Sequence, residues 1–478
     1  MRKFRWTLRL LILILLIQLF IFGLSSFTNI EFLKSFGISY ASSEQTPSDS
    51  TNTNTQPNIT TYSKSCILMD SSTGKILYEK NANEVSFPAS TTKIMTAILA
   101  LEKCSLTDVA TVSHNAIFSI PPSYSHASLK EGEELTIEQL LNVLMIPSAN
   151  DAAVVLAEHI SGSTEEFANL MNEKAKEIGC LNTHFVNPNG IYDKNHTTTA
   201  YDLALMGKYA MQNSTFRNIV KKTRYTLPAT NQYDKADRIF NTTNELLREN
   251  NSTRKDNYYY PYATGIKTGY TTEAGSCIVA SASKDGMEVI AVILGGETTK
   301  DGLSERFLDC KTLFNYAFEN YSVKTVHEKN SVLQQISIKG ATSDTKNLNV
   351  LVKDEISILL EANKDVADLN PEITFSEDLK APISENSVIG KITYQVDGTE
   401  YSSDLLAETS VIASGFLPIL LRILLIFVTL YLLYLLLKPK KKKEKRKSSS
   451  KHLSKNKKTS KKKNKKGGHF RDTRFRNL

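Results

Sequence analysis

Two long apolar segments, one near each end of the 478-residue chain, restrict where folded domains can lie. Leu10–Leu24 follows a cluster of basic residues, which is the order expected of a signal sequence. Phe416–Leu437 is polar only at Arg422 and Thr429 and is long enough to cross a bilayer. We therefore expect residues 1–41 to be a signal sequence or N-terminal anchor and residues 416–437 to be a transmembrane helix.

Positive charge is concentrated at the C-terminus. The net charge is +8, yet residues 438–478 hold 20 Lys and Arg against two acidic residues, so residues 1–437 carry a net charge of −10. Excess Lys and Arg beside a membrane segment marks its cytoplasmic side. We predict a basic cytoplasmic tail that contacts membrane lipids, with residues 42–415 on the extracytoplasmic side. The tail follows a membrane segment and has few aromatic side chains, which argues against nucleic-acid binding.

The five cysteines are widely separated and show neither CxxC nor Cys/His ligand spacing. This pattern favours buried free thiols over a disulfide framework or a zinc site. We predict that the protein uses no metal and no cofactor. The sequence carries no information on its oligomeric state.

The exported part begins with residues 42–61, a flexible linker rich in Ser, Thr, Asn and Pro. The runs Ser65–Met69 and Lys75–Tyr78 then predict a hairpin that turns at Gly74. A second pair of β-rich segments flanks Lys284-Asp285-Gly286. Between and after these strands the residue pattern predicts helices over Thr91–Leu101, Ile137–Met145, Ala152–His159, Glu165–Ile178 and from Arg306 to Asn320. A mixed α/β (α+β) domain over residues 62–321 is therefore expected.

Beyond Tyr321 the pattern changes to short alternating runs, such as Asn347–Val352 and Lys391–Val396, separated by Gly, Asn, Asp and Pro. This pattern predicts a small β-sandwich over residues 322–408. It carries no cluster of side chains typical of separate catalysis, so we expect it to be a spacer or an interaction domain.

Ser90 and Lys93 stand three residues apart before an almost uniformly apolar stretch. Residues at i and i+3 of a helix share a face, so the Lys93 amine is expected to reach the Ser90 hydroxyl. If Ser90 begins the helix, unpaired N–H groups there can stabilise an anion. Such a pair alone is usually an N-cap and a solvated lysine. The apolar neighbours instead favour a buried Lys93 with a lowered pKa, acting as general base for a Ser90 nucleophile.

Ser148-Ala149-Asn150 is the second motif, and it falls in a predicted loop after Pro147. A second hydroxyl in that loop can relay a proton to a departing amine, and the Asn150 amide can hold a peptide group. Both residues can equally be ordinary capping residues.

Lys267-Thr268-Gly269 is the third motif and leads toward a predicted strand. It places a cation and a hydroxyl beside a backbone that Gly269 leaves accessible, which suits a terminal carboxylate. The N–H groups of Ser90 and Tyr270 are candidate donors of an oxyanion hole. Each motif alone is weak evidence, but the three in this order indicate a serine acyl-transfer site.

Other polar residues have less specific patterns. His184, His196 and Asp202 are close in sequence without the order of a catalytic triad or metal-ligand spacing, so we expect hydrogen-bonded loop and cap residues. Arg306 can help to hold a carboxylate, but a structural role at a helix start is at least as well supported.

Together the three motifs resemble those of the serine D-alanyl-D-alanine carboxypeptidases, the low-molecular-mass penicillin-binding proteins. The similarity extends over residues 62–320, with matching segments at 69–74, 147–153, 183–190 and 264–271. The following β-rich region resembles the C-terminal domain of the same family. The resemblance implies a β-lactamase/transpeptidase-like catalytic domain, then a small β-sandwich, then a membrane anchor in a bacterial cell membrane.

Carried onto matching positions, the resemblance implies an acyl-enzyme on Ser90, a general base at Lys93 and proton transfer by Ser148. It implies substrate binding by Asn150, Lys267, Thr268, Gly269 and Tyr270. The implied substrates are peptidoglycan stem peptides, from which the terminal D-alanine is removed, and β-lactam antibiotics would inhibit by acylating the same serine.

Rival functions share this machinery. A D,D-endopeptidase acting on cross-links uses the same residues, and a non-catalytic penicillin-binding scaffold would keep the fold. A class A β-lactamase needs a glutamate that activates water, but Glu165 and Glu166 come too soon after Asn150 and fall in a helical pattern. We therefore expect a carboxypeptidase, with the endopeptidase and the scaffold as alternatives.

Overall fold

The computed structural model describes residues 59–249 and 257–438, with the backbone alone at 416–419. The predicted signal sequence, nearly all of the linker and all but the first residue of the basic tail lie outside the described residues.

A five-stranded antiparallel sheet forms the centre of the first domain, with the order β2-β1-β9-β8-β7. Its strands are β1 (Ser65–Asp70), β2 (Ile76–Lys80), β7 (Ala263–Thr271), β8 (Gly275–Lys284) and β9 (Met287–Gly296). All six residues of β1 are buried. Helices Ala200–Ala210 and Glu305–Asn320 both pack against the sheet, so even the polar positions of its inner strands are covered. The predicted hairpins β1–β2 and β8–β9 are confirmed.

The helical part packs around one central helix, α1 (Lys93–Lys103), whose first eight residues are all buried. A helix buried on every side is apolar all round, which is why the sequence there lacks a polar face. The helices that follow are α2 (His114–Phe118), α3 (Ile137–Met145), α4 (Asn150–Ser161), α5 (Thr164–Ile178), α6 (Ala200–Ala210), α7 (Ser214–Val220) and α8 (Glu305–Asn320). Two small antiparallel sheets of two strands each lie between them, formed by β3 (Val109–Thr111) with β4 (Glu134–Thr136) and by β5 (Arg224–Leu227) with β6 (Arg238–Asn241).

A second domain begins directly after α8. Its seven strands are β10 (Tyr321–His327), β11 (Val332–Ser337), β12 (Asn347–Val352), β13 (Ile356–Glu361), β14 (Glu372–Phe375), β15 (Val388–Val396) and β16 (Thr399–Ala407). Five pair in the order β11-β12-β16-β15-β14, and β10 pairs with β13. Alternate residues of β12 are buried, as expected for strands that cover a core on one face. Pairing continues past residue 408, because Val411 bridges Ile383.

A final helix, α9 (Phe416–Leu437), follows the second domain. Among the described residues, it is the one helix long and apolar enough to cross a membrane, with a mean hydropathy of 2.6 over Leu420–Leu437. The predicted fold class, a mixed α/β domain followed by a β-sandwich and an apolar C-terminal helix, is confirmed.

Candidate active site

Ser90 lies in a single 3-10 turn, Ala89–Thr92, that leads into α1. Ala89 has a φ of +48°, in the left-handed region that residues with a side chain rarely adopt. The hydroxyls of Thr91 and Thr92 hold the turn by donating to the carbonyls of Pro88 and Ala89, at 2.7 and 2.8 Å. Ser90 therefore lies in the first helical turn, as expected, but this turn is 3-10 rather than α, held by the two threonine hydroxyls.

Lys93 is fully buried, and its amine is surrounded by three oxygen atoms. The Nζ atom lies 2.9 Å from Ser90 Oγ, 2.7 Å from Asn150 Oδ1 and 2.6 Å from the carbonyl oxygen of Asn189. Burial, aided by the charge of Lys267, lowers the Lys93 pKa well below its usual value. A neutral amine has two hydrogens and one lone pair. The two amide oxygens can only accept, so they take the hydrogens and leave the lone pair to the Ser90 hydroxyl.

The second motif lies where α3 gives way to α4. Ser148 is buried with a φ of +70°, and its carbonyl accepts a hydrogen bond of 2.7 Å from the Ser125 hydroxyl. Asn150 connects Lys93 to Ser125, because its Oδ1 accepts from the Lys93 amine while its Nδ2 donates to the Ser125 carbonyl at 2.8 Å. Within the part of the chain that the structure describes, the Ser148 hydroxyl makes no hydrogen bond to Ser90 or Lys93.

Lys267, Thr268 and Gly269 lie within the edge strand β7, rather than before a strand as expected. The buried Lys267 amine donates to the Thr268 carbonyl at 2.9 Å. Burial and the nearby Arg306 lower the Lys267 pKa to about 7. Arg306 donates to the Gly269 carbonyl at 3.0 Å, so the structure places this arginine beside the third motif. Two cationic side chains thus converge on one edge of the sheet.

Strand β7 approaches the Ser90 turn closely because Gly269 has no side chain. A Cβ atom at this position would lie 2.9 Å from the Ser90 backbone nitrogen and 3.1 Å from the Pro88 carbonyl oxygen. Both are backbone atoms, which cannot rotate away as the end of a side chain can.

We expect Gly269→Ala to separate β7 from the Ser90 turn and to lower kcat/KM by about 100-fold, the cost of displacing catalytic groups by roughly 1 Å. The measurement is steady-state turnover beside the melting temperature. Gly286→Ala is the control for turnover, because Gly286 does not line the cleft and a Cβ there meets nothing within 4 Å; its φ of +80° should lower the melting temperature while turnover stays unchanged. Unchanged turnover in a folded Gly269→Ala variant would contradict the close approach.

A cleft of about 310 Å³ opens at Ser90. One wall is formed by Ser123, Tyr124 and Ser125, and the other continues the third motif through Tyr270, which is 65% exposed. Ser90 and Asn150, from the first two motifs, therefore line one cleft together with Tyr270, which directly follows the third motif. Sequence reasoning missed Ser125 and Asn189, which contact Asn150 and Lys93. Their backbone carbonyls make these contacts, and any residue type supplies a carbonyl.

His184 and Asp202 lie in hydrogen-bonded loop and cap positions, as expected. The Asp202 carboxylate accepts from the Asn182 N–H and the Thr183 hydroxyl at the start of α6. His184 Nδ1 lies 2.8 Å from the Asn195 carbonyl oxygen.

Comparison with known proteins agrees with this geometry. Residues 50–298 match the family model described as D-alanyl-D-alanine carboxypeptidase, and residues 321–413 match that of the penicillin-binding protein 5 C-terminal domain. The crystal structure of penicillin-binding protein 5 from Haemophilus influenzae superposes with a TM-score of 0.57 at 26% identity, covering 74% of this chain and 98% of that one.

Two curated relatives extend over most of the chain. The D-alanyl-D-alanine carboxypeptidase DacF of Bacillus subtilis is 35% identical over 371 residues, which is 75% of this chain and 88% of DacF. The D-alanyl-D-alanine carboxypeptidase DacC of Escherichia coli is 30% identical over 342 residues, 70% of this chain and 80% of DacC. With Lys93 in contact with both Ser90 and Asn150, and with relatives similar along both domains, the chain belongs to the D-alanyl-D-alanine carboxypeptidase family of serine peptidases.

Proposed function

We propose that this serine D-alanyl-D-alanine carboxypeptidase removes the last D-alanine of peptidoglycan stem peptides through an acyl-enzyme on Ser90. One observation carries the proposal: the buried Lys93 amine lies 2.9 Å from Ser90 Oγ, while two amide oxygens occupy its hydrogens. Lys93 is thereby prepared to take the hydroxyl proton as general base. The same serine would be acylated by β-lactams.

In the first half of the reaction, Ser90 Oγ attacks the carbonyl carbon of the penultimate D-alanine as its proton passes to Lys93. The N–H groups of Ser90 and Tyr270 would stabilise the oxyanion. We assign to Ser148 the relay of this proton from Lys93 to the departing amine, which requires the Ser148 hydroxyl to turn toward Lys93 when substrate binds; the C–N bond then breaks and D-alanine leaves. Water then hydrolyses the ester and restores Ser90. The close approach of Gly269 to the Ser90 nitrogen supports this pairing of donors.

Recognition of the substrate carboxylate is assigned to Lys267 and Thr268, with Arg306 beside them. Two observations support this assignment: Lys267 lies on β7 and Arg306 donates to the Gly269 carbonyl of the same strand, and β7 borders the cleft at Tyr270 and Thr271. Asn150 would hold the substrate peptide group while it fixes the Lys93 amine. The exposed side chain of Tyr270 forms part of the rim of the cleft, over which the stem peptide would enter.

Activity is expected to depend on pH in opposite ways through the two lysines. The Lys93 pKa is lowered, so kcat/KM should rise with pH while Lys93 loses its proton. Lys267 must stay protonated to hold a carboxylate, so kcat/KM should fall as pH increases through about 7, its lowered pKa. The measurement is kcat/KM across a pH series. A profile that stays level from about pH 6 to pH 9 would contradict the role of Lys267.

The decisive test uses the full chain in detergent and a peptide ending in D-Ala-D-Ala, with D-alanine release followed in time. The control is the same peptide with a C-terminal amide, which lacks the carboxylate. Release from the acid but not from the amide is expected. Cleavage of a cross-linked dimer peptide without release of terminal D-alanine would favour the endopeptidase. A β-lactam adduct without any cleavage would favour the scaffold.

We also propose that α9 anchors the enzyme in the bacterial cell membrane, with both folded domains on the extracytoplasmic side and the basic tail at the cytoplasmic headgroups. The length and apolar composition of α9 support the anchor, and the run of lysines after it supports the orientation. Protease added to intact spheroplasts should degrade the folded domains and spare an epitope fused to the tail. Loss of the epitope under these conditions would reverse the orientation.

A further inference from the structure

A loop outside the three motifs, residues 186–196, packs against the Ser90 turn. Its Asn189 carbonyl accepts from Lys93 at 2.6 Å, and its Pro188 carbonyl accepts from the Thr96 hydroxyl at 2.6 Å. Gly190 lies so close that a Cβ atom there would be 1.8 Å from the Ala89 carbonyl oxygen. The loop therefore contacts both the nucleophile turn and the proposed base.

His196 ends this loop and is 2% exposed. Its Nδ1 lies 3.1 Å from the Val186 backbone nitrogen, which can only donate, so Nδ1 is the acceptor and the ring hydrogen is on Nε2. Burial also lowers the His196 pKa to about 3, which keeps the ring neutral.

The hydrogen on Nε2 starts a chain of hydrogen bonds to the turn. Nε2 lies 2.9 Å from Thr92 Oγ1, and the Thr92 hydroxyl gives its own hydrogen to the Ala89 carbonyl at 2.8 Å. Thr92 Oγ1 must therefore accept from His196. Hydrogen bonds in such a chain polarise and strengthen one another.

The Ala89 carbonyl and the Ser90 N–H belong to the same planar peptide group. In a trans peptide the two bonds point in opposite directions, so whatever holds the carbonyl also aims the N–H. Ala89 is in the left-handed region with φ of +48°, a conformation that costs about 1–3 kcal/mol and persists only when its surroundings hold it. His196 and Thr92 supply hydrogen bonds that hold it.

We propose that His196 is a positioning residue for the oxyanion hole, acting through Thr92 and the Ala89 carbonyl to aim the Ser90 N–H at the developing oxyanion. This inference rests on the proposed role of the Ser90 N–H. His196 touches neither substrate nor Ser90 itself. Its effect should fall on kcat rather than on KM, because the residues proposed to bind the carboxylate lie on β7.

Two substitutions separate the two hydrogen bonds of the ring. His196→Gln places an amide donor near the position of Nε2 and keeps the bond to Thr92. His196→Asn reaches only as far as Nδ1, so it keeps an acceptor for Val186 and loses the donor to Thr92. We expect His196→Asn to lower kcat by about tenfold to a hundredfold with little change in KM, and His196→Gln to stay within a few-fold of wild type.

Affinity for a peptide boronic acid supplies a readout that a purely structural role would not move. Its adduct with serine is tetrahedral and anionic, so its affinity reports on the oxyanion hole. We expect His196→Asn to weaken boronate binding by the same factor by which it lowers kcat. The melting temperatures of both variants are measured on the same preparations. A folded His196→Asn variant with wild-type kcat and boronate affinity would overturn the inference.

Two substitutions at Thr92 test the same chain of hydrogen bonds while His196 stays in place. Thr92→Val removes the hydroxyl and should reproduce the loss in kcat and boronate affinity, whereas Thr92→Ser keeps the hydroxyl and should restore both. Equal activity of Thr92→Val and Thr92→Ser would overturn the inference even if the His196 variants fail to fold. Wild-type protein that releases no D-alanine would overturn the proposed function. Active wild-type protein, with Thr92→Val and Thr92→Ser variants that are equally active, would overturn the role of His196 alone.

Discussion

Ser90→Ala is expected to abolish both D-alanine release and the mass increase that follows incubation with a β-lactam. The bond to the acyl group forms at Ser90 Oγ, so its removal should lower turnover by at least about 10⁴-fold. Ser90 is the one half-buried residue of its otherwise buried turn, and loss of its hydroxyl leaves the packing of the three buried residues in place. Turnover, intact mass and melting temperature are measured on the same preparation.

The matched control for this change is Ser105→Ala, which removes an exposed hydroxyl from the loop after α1. It should keep wild-type turnover and the full mass increase. An adduct that persists on Ser90→Ala would show that another side chain is the nucleophile. Ser148 would then be the next serine to substitute, because it lies in the motif that Asn150 joins to Lys93.

Lys93→Met is expected to slow acylation by about 10²- to 10⁴-fold, the usual contribution of a general base. Methionine fills the buried site without a charge to desolvate. It leaves the Asn150 and Asn189 oxygens without the amine, at a cost of about 1–3 kcal/mol in the free energy of unfolding for each buried acceptor left unpaired. The measurement is the second-order rate constant of β-lactam acylation, followed by intact mass.

Lys103→Met is the control for Lys93, because it makes the same change at an exposed position of the same helix. It should acylate at the wild-type rate. Unlike Ser90→Ala, the Lys93→Met variant keeps its nucleophile and should still acquire the adduct slowly. Acylation at the wild-type rate in folded Lys93→Met protein would rule out Lys93 as the base.

The elements that sequence reasoning predicted well are those whose pattern is strong by itself. The apolar run after Lys93 predicted a buried helix, and β-rich segments around Gly74 and Gly286 predicted the two hairpins. Strand β7 was harder to predict, because its sequence combines two glycines, two threonines before Tyr270 and a lysine without alternation. Its place in the sheet comes from pairing with β8, a contact that local pattern does not encode.

The active site likewise contains residues that the sequence pattern predicts and others that it does not. Motif spacing led to Ser90, Lys93 and Asn150, and in the structure Lys93 contacts both of the others. The 3-10 turn at Ser90 depends on Thr92 and on a left-handed Ala89, neither of which has a distinctive sequence pattern. Sequence pattern predicts only a structural loop position for His196, because its link to Ser90 passes through a threonine more than one hundred positions earlier in the chain.

The two glycines that enclose the Ser90 turn also set how this protein can diverge during evolution. Gly269 and Gly190 touch the turn with backbone on both sides, so any larger residue at either position displaces the nucleophile itself. Selection for a different peptide, or against an inhibitor, therefore has little freedom at the turn. We expect such change to accumulate on the outer walls of the cleft, at exposed lining residues such as Ser123 and Thr272, where new side chains leave the Ser90 turn unchanged.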